Sequence, residues 1–331
     1  MSAEPPTFAP VPLPVCDGVP EDRESAAAGV AAWIGSAPMR ALVAEFGGRF
    51  PEGPTAEALA ALDAFSAEHW DFRDGRERAE ARRHAFEPAT AALIVDAARA
   101  LGLLSARPPR HRDYTQVLIL GGMVRACLVR TRFAADLLAG AVTTGRITAV
   151  GGFRVLTPGE RELAAELGMP QPRFEVDALA EGVRRAFGAT AHYEVEEGGD
   201  PGTEPNRAWR VTTYHLPDTT PAHVVAAPSS EPDSRRANTA DTCRYWADEV
   251  VKLGPRDRVL VVTSTTYLPF QHADAIATIG LPYGCAVDTV GIDLAAHPDE
   301  RHRQRHDPDR CLQEIRSAIW SMRRLYETAS A

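Results

Sequence analysis

The sequence predicts an α/β fold: a Rossmann-like, mostly parallel sheet with helices on both faces, preceded by a helical N-terminal segment. Three observations predict it. Short continuous apolar runs, such as Val117-Leu-Ile-Leu120 and Arg258-Val-Leu-Val-Val262, suit strands buried on both faces. Those runs alternate with helical patterns, and strand–helix alternation builds a parallel sheet through right-handed crossovers. The stretch from 22 to 104 shows Ala-rich helical periodicity and no convincing strand. At roughly 150 residues per domain, the 331 residues divide into a flexible Pro-rich arm (1–20), a helical segment or lid (21–110) and a ligand-binding domain (111–331).

The helical half carries patterns at 24–46, 55–69, 73–86 and 87–104. The last is best marked: Pro88 suits a first helical turn, and Leu93, Ala97 and Leu101 share one apolar face. Arg107-Pro-Pro-Arg110 reads as a linker. The first strand of the sheet, 117–120, ends in Gly121-Gly122 and precedes a helix at 130–141. The second strand, 146–150, ends in Gly151-Gly152. Thr157-Pro-Gly-Glu160 has the form of a capping box and opens a helix that runs to about 167. Another helix covers 176–187. Segments 191–195 and 209–215 look like strands flanking a polar, Gly-rich loop. A third buried strand at 222–227, a helix at 239–253, a fourth strand at 258–262, a helix at 269–279, a fifth strand at 285–290 and a closing helix at 309–326 complete the pattern.

Ligands in such sheets bind at the carboxyl ends of the strands. That rule singles out the loops 121–125, 151–157, 229–239 and 263–272, where Gly, Ser, Thr, Asn and charged residues gather. Gly121, Gly122, Gly151 and Gly152 let backbone approach a ligand and lend amides to an anion. Arg154 and Arg235 are candidates to hold a carboxylate or phosphate two-pronged. Ser230, Asn238 and Thr239 stand at a helix start, where amides point outward; the plainer reading of Asn238 is an N-cap. Thr263 and Ser264 place hydroxyls directly after a strand, and Gln271 follows on the next helix. Glu231 and Tyr267 are the catalytic candidates: Glu231 to accept protons, Tyr267 to donate one or to stack. Ordinary amphipathic packing is the alternative for Tyr267.

Composition narrows the function. A net charge of -9 argues against a binder of the nucleic-acid backbone. Of 36 basic residues only Lys252 is a lysine, a skew that fits a GC-rich bacterial genome. Lys252 lies at a helix end before Gly254, which removes phosphate-loop and pyridoxal-phosphate chemistry. No GxGxxG fingerprint for NAD occurs. The five cysteines are far apart without a CxxC and read as reduced thiols. The His297, His302 and His306 tract is interleaved with charges and fits a solvated loop, so no metal site is expected. No apolar run reaches about 18 residues, and the N-terminus lacks the regions of a signal peptide. The expected setting is the cytoplasm, with a small-molecule ligand, no nucleic acid, no membrane, and a homodimer as the assembly to consider.

The pieces Val117-Leu-Ile-Leu-Gly-Gly122, Ile147-Thr-Ala-Val-Gly-Gly152, Ser230-Glu231 through Arg235 to Asn238-Thr239-Ala240, and Leu260-Val-Val-Thr-Ser264 occur in order. Over about 113–293 the chain resembles the ElyC/SanA/YdcF family, a Rossmann-like group. The resemblance implies a pocket at the strand ends and S-adenosylmethionine as ligand. Carried over by position, that pocket falls near Gly121, Gly122, Gly151, Gly152, Glu231, Arg235, Asn238, Thr239, Thr263 and Ser264. The family's His and Arg after Thr-Ser are replaced here by Tyr267 and Phe270. The functional expectation is a small-molecule enzyme: group transfer, or cyclisation or elimination on the aminocarboxypropyl chain of S-adenosylmethionine. The alternatives are a non-catalytic nucleoside-binding regulator and a transferase acting on an envelope precursor.

Overall fold

The computed structural model describes residues 8–72, 83–140, 142–189, 193–216 and 220–331. Among the described residues four helices come first: α1 (Asp22–Ile34), α2 (Ala37–Glu45), α3 (Thr55–His69) and α4 (Pro88–Ala100). The pattern at 24–46 is therefore two helices. Pro38 sits in the first turn of α2, and Ser36 before it is extended, because proline cannot continue a helix across that point. Of the helix expected at 73–86, residues 73–82 lie outside the described residues, and 83–86 are not helical.

The arm is docked from Phe8 onward. The Val11 amide donates to the Ala100 carbonyl at 2.8 Å. The Asp22 carboxylate collects the amides of Asp17, Gly18 and Val19 at 2.9, 2.7 and 3.0 Å. This fixes a two-residue strand, β1 (Cys16–Asp17), at one end of the sheet.

The other strands are β2 (Asp113–Leu120), β3 (Thr143–Gly151), β4 (Tyr193–Gly198), β5 (Trp209–His215), β6 (Pro221–Ala226), β7 (Arg258–Ser264) and β8 (Ala286–Ile292). They form one sheet in the order β1-β8-β7-β2-β3-β6-β5-β4. The run from β8 to β6 is parallel; β1, β5 and β4 join it antiparallel. Apolar side chains cover both faces of the central parallel strands, as the continuous runs require, whereas β4 at the edge is exposed. Val259 and Val261 point to one core, Leu260 and Val262 to the other.

The connecting helices are α5 (Val124–Gly140), α6 (Pro158–Glu166), α7 (Glu175–Phe187), α8 (Thr239–Tyr245), α9 (Leu268–Ala275), α10 (Leu281–Tyr283) and α11 (Pro308–Ser330). α8 runs on as a π-helical stretch, Trp246–Val251, and α9 reaches α10 through another, Ile276–Gly280. The core that includes Val117, Ile119 and Leu260 takes in residues of α5, α6 and α7. The opposite core takes in the N-terminal helices, α8, α9 and α11, with Trp33, Leu59 and Ile94 sharing it with Val261 and Val287. Among the described residues no single helix is long and apolar enough to cross a membrane.

The chain leaves β2 through α5 to β3 on one side, and returns through α8 to β7 on the other side of β2. The topological switch point, where a crevice opens outside the strand ends, thus lies between β2 and β7.

Candidate functional site

Arg130 occupies the switch point. α5 begins at Val124, six residues before the expected start, so Arg130 falls in its second turn on the face of Val124, Cys127 and Ala134. It is 2% exposed. Its Nε donates to Ser264 Oγ at 3.1 Å, and its Nη1 to the carbonyls of Leu120 and Gly121 at 2.8 and 2.5 Å. One guanidinium thus bridges the ends of β2 and β7. The same group lies 5.6 Å from the ring centroid of Tyr267, a cation–π distance. Tyr267 is buried on the 3-10 turn after β7, and its hydroxyl accepts from Arg310 Nη2 at 2.8 Å. The side-chain carbonyl of Gln304 also accepts from Arg310. Thr263, fully buried, donates to Gln271 Oε1, so this pair ties β7 to α9.

A second group stands over β2 and β3. Arg154 grips Glu160 with two nitrogens, Nη1 to Oε2 at 2.8 Å and Nη2 to Oε1 at 2.9 Å. Its Nε reaches Glu175 Oε2 at 3.1 Å, and Nη2 also donates to the Gly122 carbonyl at 3.1 Å. Glu175 is the first residue of α7 and leans over the strand ends. A Cβ on Gly121 would collide with Glu175 Oε1, and one on Gly151 would lie 3.2 Å from it. These two glycines make room for the carboxyl. Burial draws Glu175 toward its protonated form, above the usual carboxylate range, and the Arg154 charge only partly opposes this. Burial also disfavours ionised Glu160, but its hydrogen bonds with Arg154 and Thr157 outweigh that and hold it below its usual range. Glu160 spends its other contacts on caps: it accepts from the Thr157 amide at 3.0 Å and from the Val124 amide, at the start of α5, at 3.3 Å.

The loop 229–239 is built around a residue the sequence reading missed, Asp241. Its carboxylate accepts from Ser230 Oγ at 2.6 Å, from the Asn238 amide at 3.0 Å and from Arg235 Nη1. Asn238 returns the bond to the Asp241 amide at 2.9 Å, a reciprocal cap on α8, whose first residue is Thr239. Ser230, Arg235 and Asn238 therefore organise the loop. Glu231 sits on its outer side with a side chain 63% exposed, 3.0 Å from Arg235 Nη2.

The structure thus brings Gly121, Gly122, Gly151, Arg154, Ser264 and Tyr267 to the carboxyl ends of β2, β3 and β7 and adds Arg130, Glu160, Glu175 and Arg310 there. Gly152 lies at the β3 end, where its carbonyl accepts from the Val176 amide at 3.2 Å. Arg130 had a legible signal: an arginine three residues after Cys127 and four before Ala134 breaks an apolar stripe. A separate concavity of about 300 Å³ lies outside α5 and α7, lined by Leu128, Arg132, Gly182, Arg185 and His302. Its arginines are spent: Arg132 pairs with Asp136 at 2.8 Å and Arg185 with Glu181 at 2.5 Å.

The sequence model of the Rv3785 N-terminal domain family matches residues 17–102. Over 328 residues the chain is 33% identical to Rv3785 of Mycobacterium tuberculosis (strain ATCC 25618 / H37Rv), covering 91% of this chain and 90% of that protein. The same figures hold for MT3893 of Mycobacterium tuberculosis (strain CDC 1551 / Oshkosh) and Mb3814 of Mycobacterium bovis. All three are described as uncharacterized. No solved structure matches. These matches correct the resemblance to the ElyC/SanA/YdcF family. The pieces that suggested it are generic: any parallel sheet needs glycine and small hydroxyl residues where its strands turn over the carboxyl edge.

Proposed function

The chain belongs to the Rv3785 family, and on that premise we propose that it is an enzyme acting on a small nucleoside-type metabolite in the crevice over β2, β3 and β7. The observation that carries the reading is Glu175, a buried carboxyl drawn toward protonation beside the switch point. A displaced proton affinity in a crevice is what an acid–base catalyst needs. Met123 and Val155, 42% and 54% exposed, stand on the loops after β2 and β3 and offer apolar faces to a flat base. Arg154 holds Glu175 in place, and Tyr267, its hydroxyl bound by Arg310, supplies a second proton site.

S-adenosylmethionine is the first ligand to test. Its sulfonium is an activated leaving group, so group transfer, cyclisation or elimination needs positioning and one base. The reading includes the cytoplasm as compartment and a homodimer as assembly. Glu175→Gln tests it. The variant should retain ligand by calorimetry within about threefold and lose turnover by about 100-fold or more, the usual weight of one acid–base group. Unchanged turnover would remove Glu175 from the chemistry. Stoichiometric retention without product in the unaltered protein would make it a regulator instead.

A further inference from the structure

We propose that His306, oriented by Asp293, is a general base at the β7/β8 end of the site. This rests on the strand ends being where the ligand binds. Asp293 follows directly on β8, whose last residue, Ile292, is in register with Ser264 at the end of β7. Asp293 therefore stands level with the turn that carries Tyr267. The two strand ends are close: a Cβ on Gly291 would lie 2.7 Å from the Thr265 amide nitrogen. The chain then loops out and returns, where the Gln304 amide donates to the Leu294 carbonyl at 3.0 Å. The return sets His306 against Asp293, with Nε2 3.4 Å from Oδ1. Gln304, two residues earlier, faces Arg310, whose Nη2 donates to the Tyr267 hydroxyl at 2.8 Å. Hydrogen bonds thus join the loop that carries His306 to Tyr267.

The two ring nitrogens are used differently. Nε2 is buried and makes no aligned hydrogen bond. Its 3.4 Å contact with the carboxylate has the loose form that base–orienter pairs take before ligand binds. Asp293 Oδ1 is itself fixed by the Ala295 amide at 2.8 Å. Among the described residues Nδ1 makes no hydrogen bond, and the side chain is 20% exposed. His272 differs: its nitrogens are spent on Thr289 Oγ1 and the Pro14 carbonyl, at 2.9 and 2.8 Å. A proton on Nε2, toward Asp293, leaves the lone pair on Nδ1. A carboxylate behind an imidazole with one open nitrogen is the arrangement of an orienter and its base. Burial is the first cause that holds His306 below its usual range; Asp293 opposes it, Arg99 adds to it, Asp307 opposes it and Arg310 adds to it. The ring is therefore neutral at pH 7 and can take a proton. Glu175, drawn toward its protonated form, can give one, and groups displaced in opposite directions divide the acid and base roles. In substitution at a sulfonium, the attacking O–H or N–H gives its proton to Nδ1. Its electron pair bonds to carbon, and the carbon–sulfur pair leaves with neutral sulfur.

The test uses the full chain with S-adenosylmethionine as probe. Diethyl pyrocarbonate, with modified histidines mapped by mass spectrometry, should label His306 and spare His272 in the free protein. At about ten times its Kd, S-adenosylmethionine should slow the labelling of His306 about tenfold, as occupancy dictates; this readout needs no variant to fold. His306→Gln should keep calorimetric affinity within about threefold and lose turnover by about 100-fold or more. Asp293→Asn should move the acid limb of the kcat/KM profile to lower pH, because the carboxylate that raises the proton affinity of His306 is gone; a merely structural Asp293 would leave the limb in place. An unlabelled His306, labelling that bound S-adenosylmethionine does not slow, an unmoved limb or full turnover in His306→Gln overturns the base and leaves the function reading standing. No binding of S-adenosylmethionine, or binding without product, overturns the function reading and the base with it.

Discussion

Replacing Arg154 by Met should destabilise the protein by an amount that depends on pH. The methionine stem keeps much of the packing volume and removes the charge. In the native chain Arg154 makes two bonds to Glu160 at 2.8 and 2.9 Å and one to Glu175 at 3.1 Å. All three side chains are largely shielded from solvent. Removing one partner of a buried pair leaves an uncompensated charge and costs about 3–5 kcal/mol at neutral pH. The unfolding entropy of 331 residues, at about 2.1 cal/mol/K each, is about 0.7 kcal/mol/K. The expected fall in Tm is therefore about 4–7 °C at pH 7. The sign with pH follows from Glu160. Its carboxyl is held low in the fold, so it contributes stability above its unfolded pKa, and that stability is lost as pH falls through its folded value. Without Arg154 the carboxyl titrates higher, and protonation relieves the exposed charge. Glu175, already drawn upward by burial, needs less acid to neutralise. The gap between variant and native protein should shrink at pH 5. Differential scanning calorimetry at pH 7 and pH 5 reads both values. A Tm loss under 1 °C at pH 7, or an equal loss at both pH values, would refute the reasoning.

Three further outcomes are expected. His272 and His223 are both pushed down to about 4, chiefly by burial, so their stability contribution is present above about pH 6.5 and lost as pH falls toward 4. Urea denaturation between pH 7 and 5 should show stability falling, and His223→Gln should remove about one proton from that slope; an unchanged slope would count against burial as the cause. A Cβ on Gly182 would lie 2.8 Å from both the Cys127 carbonyl and Thr131 Oγ1. Gly182→Ala should therefore force α5 and α7 apart at about 1–3 kcal/mol, and a Tm equal to that of the native protein would show that the helices shift freely. Lys252 caps its helix at φ 56°, where a side chain costs about 1–2 kcal/mol. Lys252→Gly should give a net gain of about 0.5 kcal/mol after the added freedom of the unfolded chain, read as a higher urea midpoint; a lower midpoint would give its contacts with Asp248 and Glu249 more weight than the backbone.

The sheet and its loops were legible because burial on both faces writes itself as continuous apolar runs, and Thr157-Pro-Gly-Glu160 because a capping box is local. The start of α5 was not. Gly121-Gly122-Met123 offers no Ser, Thr, Asp or Asn, since the cap for Val124 comes from Glu160, 36 residues on. With the helix start misplaced, Arg130 fell at the edge of the expected helix, and the break it makes in the stripe of Val124, Cys127 and Ala134 was passed over. Glu175 was invisible for a related reason: its role depends on Gly121 and Gly151 lying beneath it, a three-way meeting that no spacing encodes. The loop 229–239 looked like a ligand grip because Ser230, Arg235 and Asn238 carry the right groups. Their partner is Asp241, which in sequence is only a polar residue in a helix. β1 was missed because two residues carry no periodicity.

The helical N-terminal half bears on the crevice through α11. Arg310 lies in the first turn of that helix. The N-terminal half fastens this turn: the Phe72 amide donates to Gln313 Oε1 at 3.0 Å, the His84 amide to Asp309 Oδ2 at 3.2 Å, and Arg83 pairs with Asp307 at 2.5 Å. Further along, α11 packs against α1, α3 and α4 on one side and α9 on the other. The position of Arg310 is thus set from both sides, by Tyr267 after β7 and by residues that precede the sheet altogether. A helix so placed cannot keep its register if the N-terminal helices leave, because their shared core with Val261 and Val287 would open to water. The N-terminal helices are therefore part of what positions the crevice, although in sequence they stand apart from every residue that lines it.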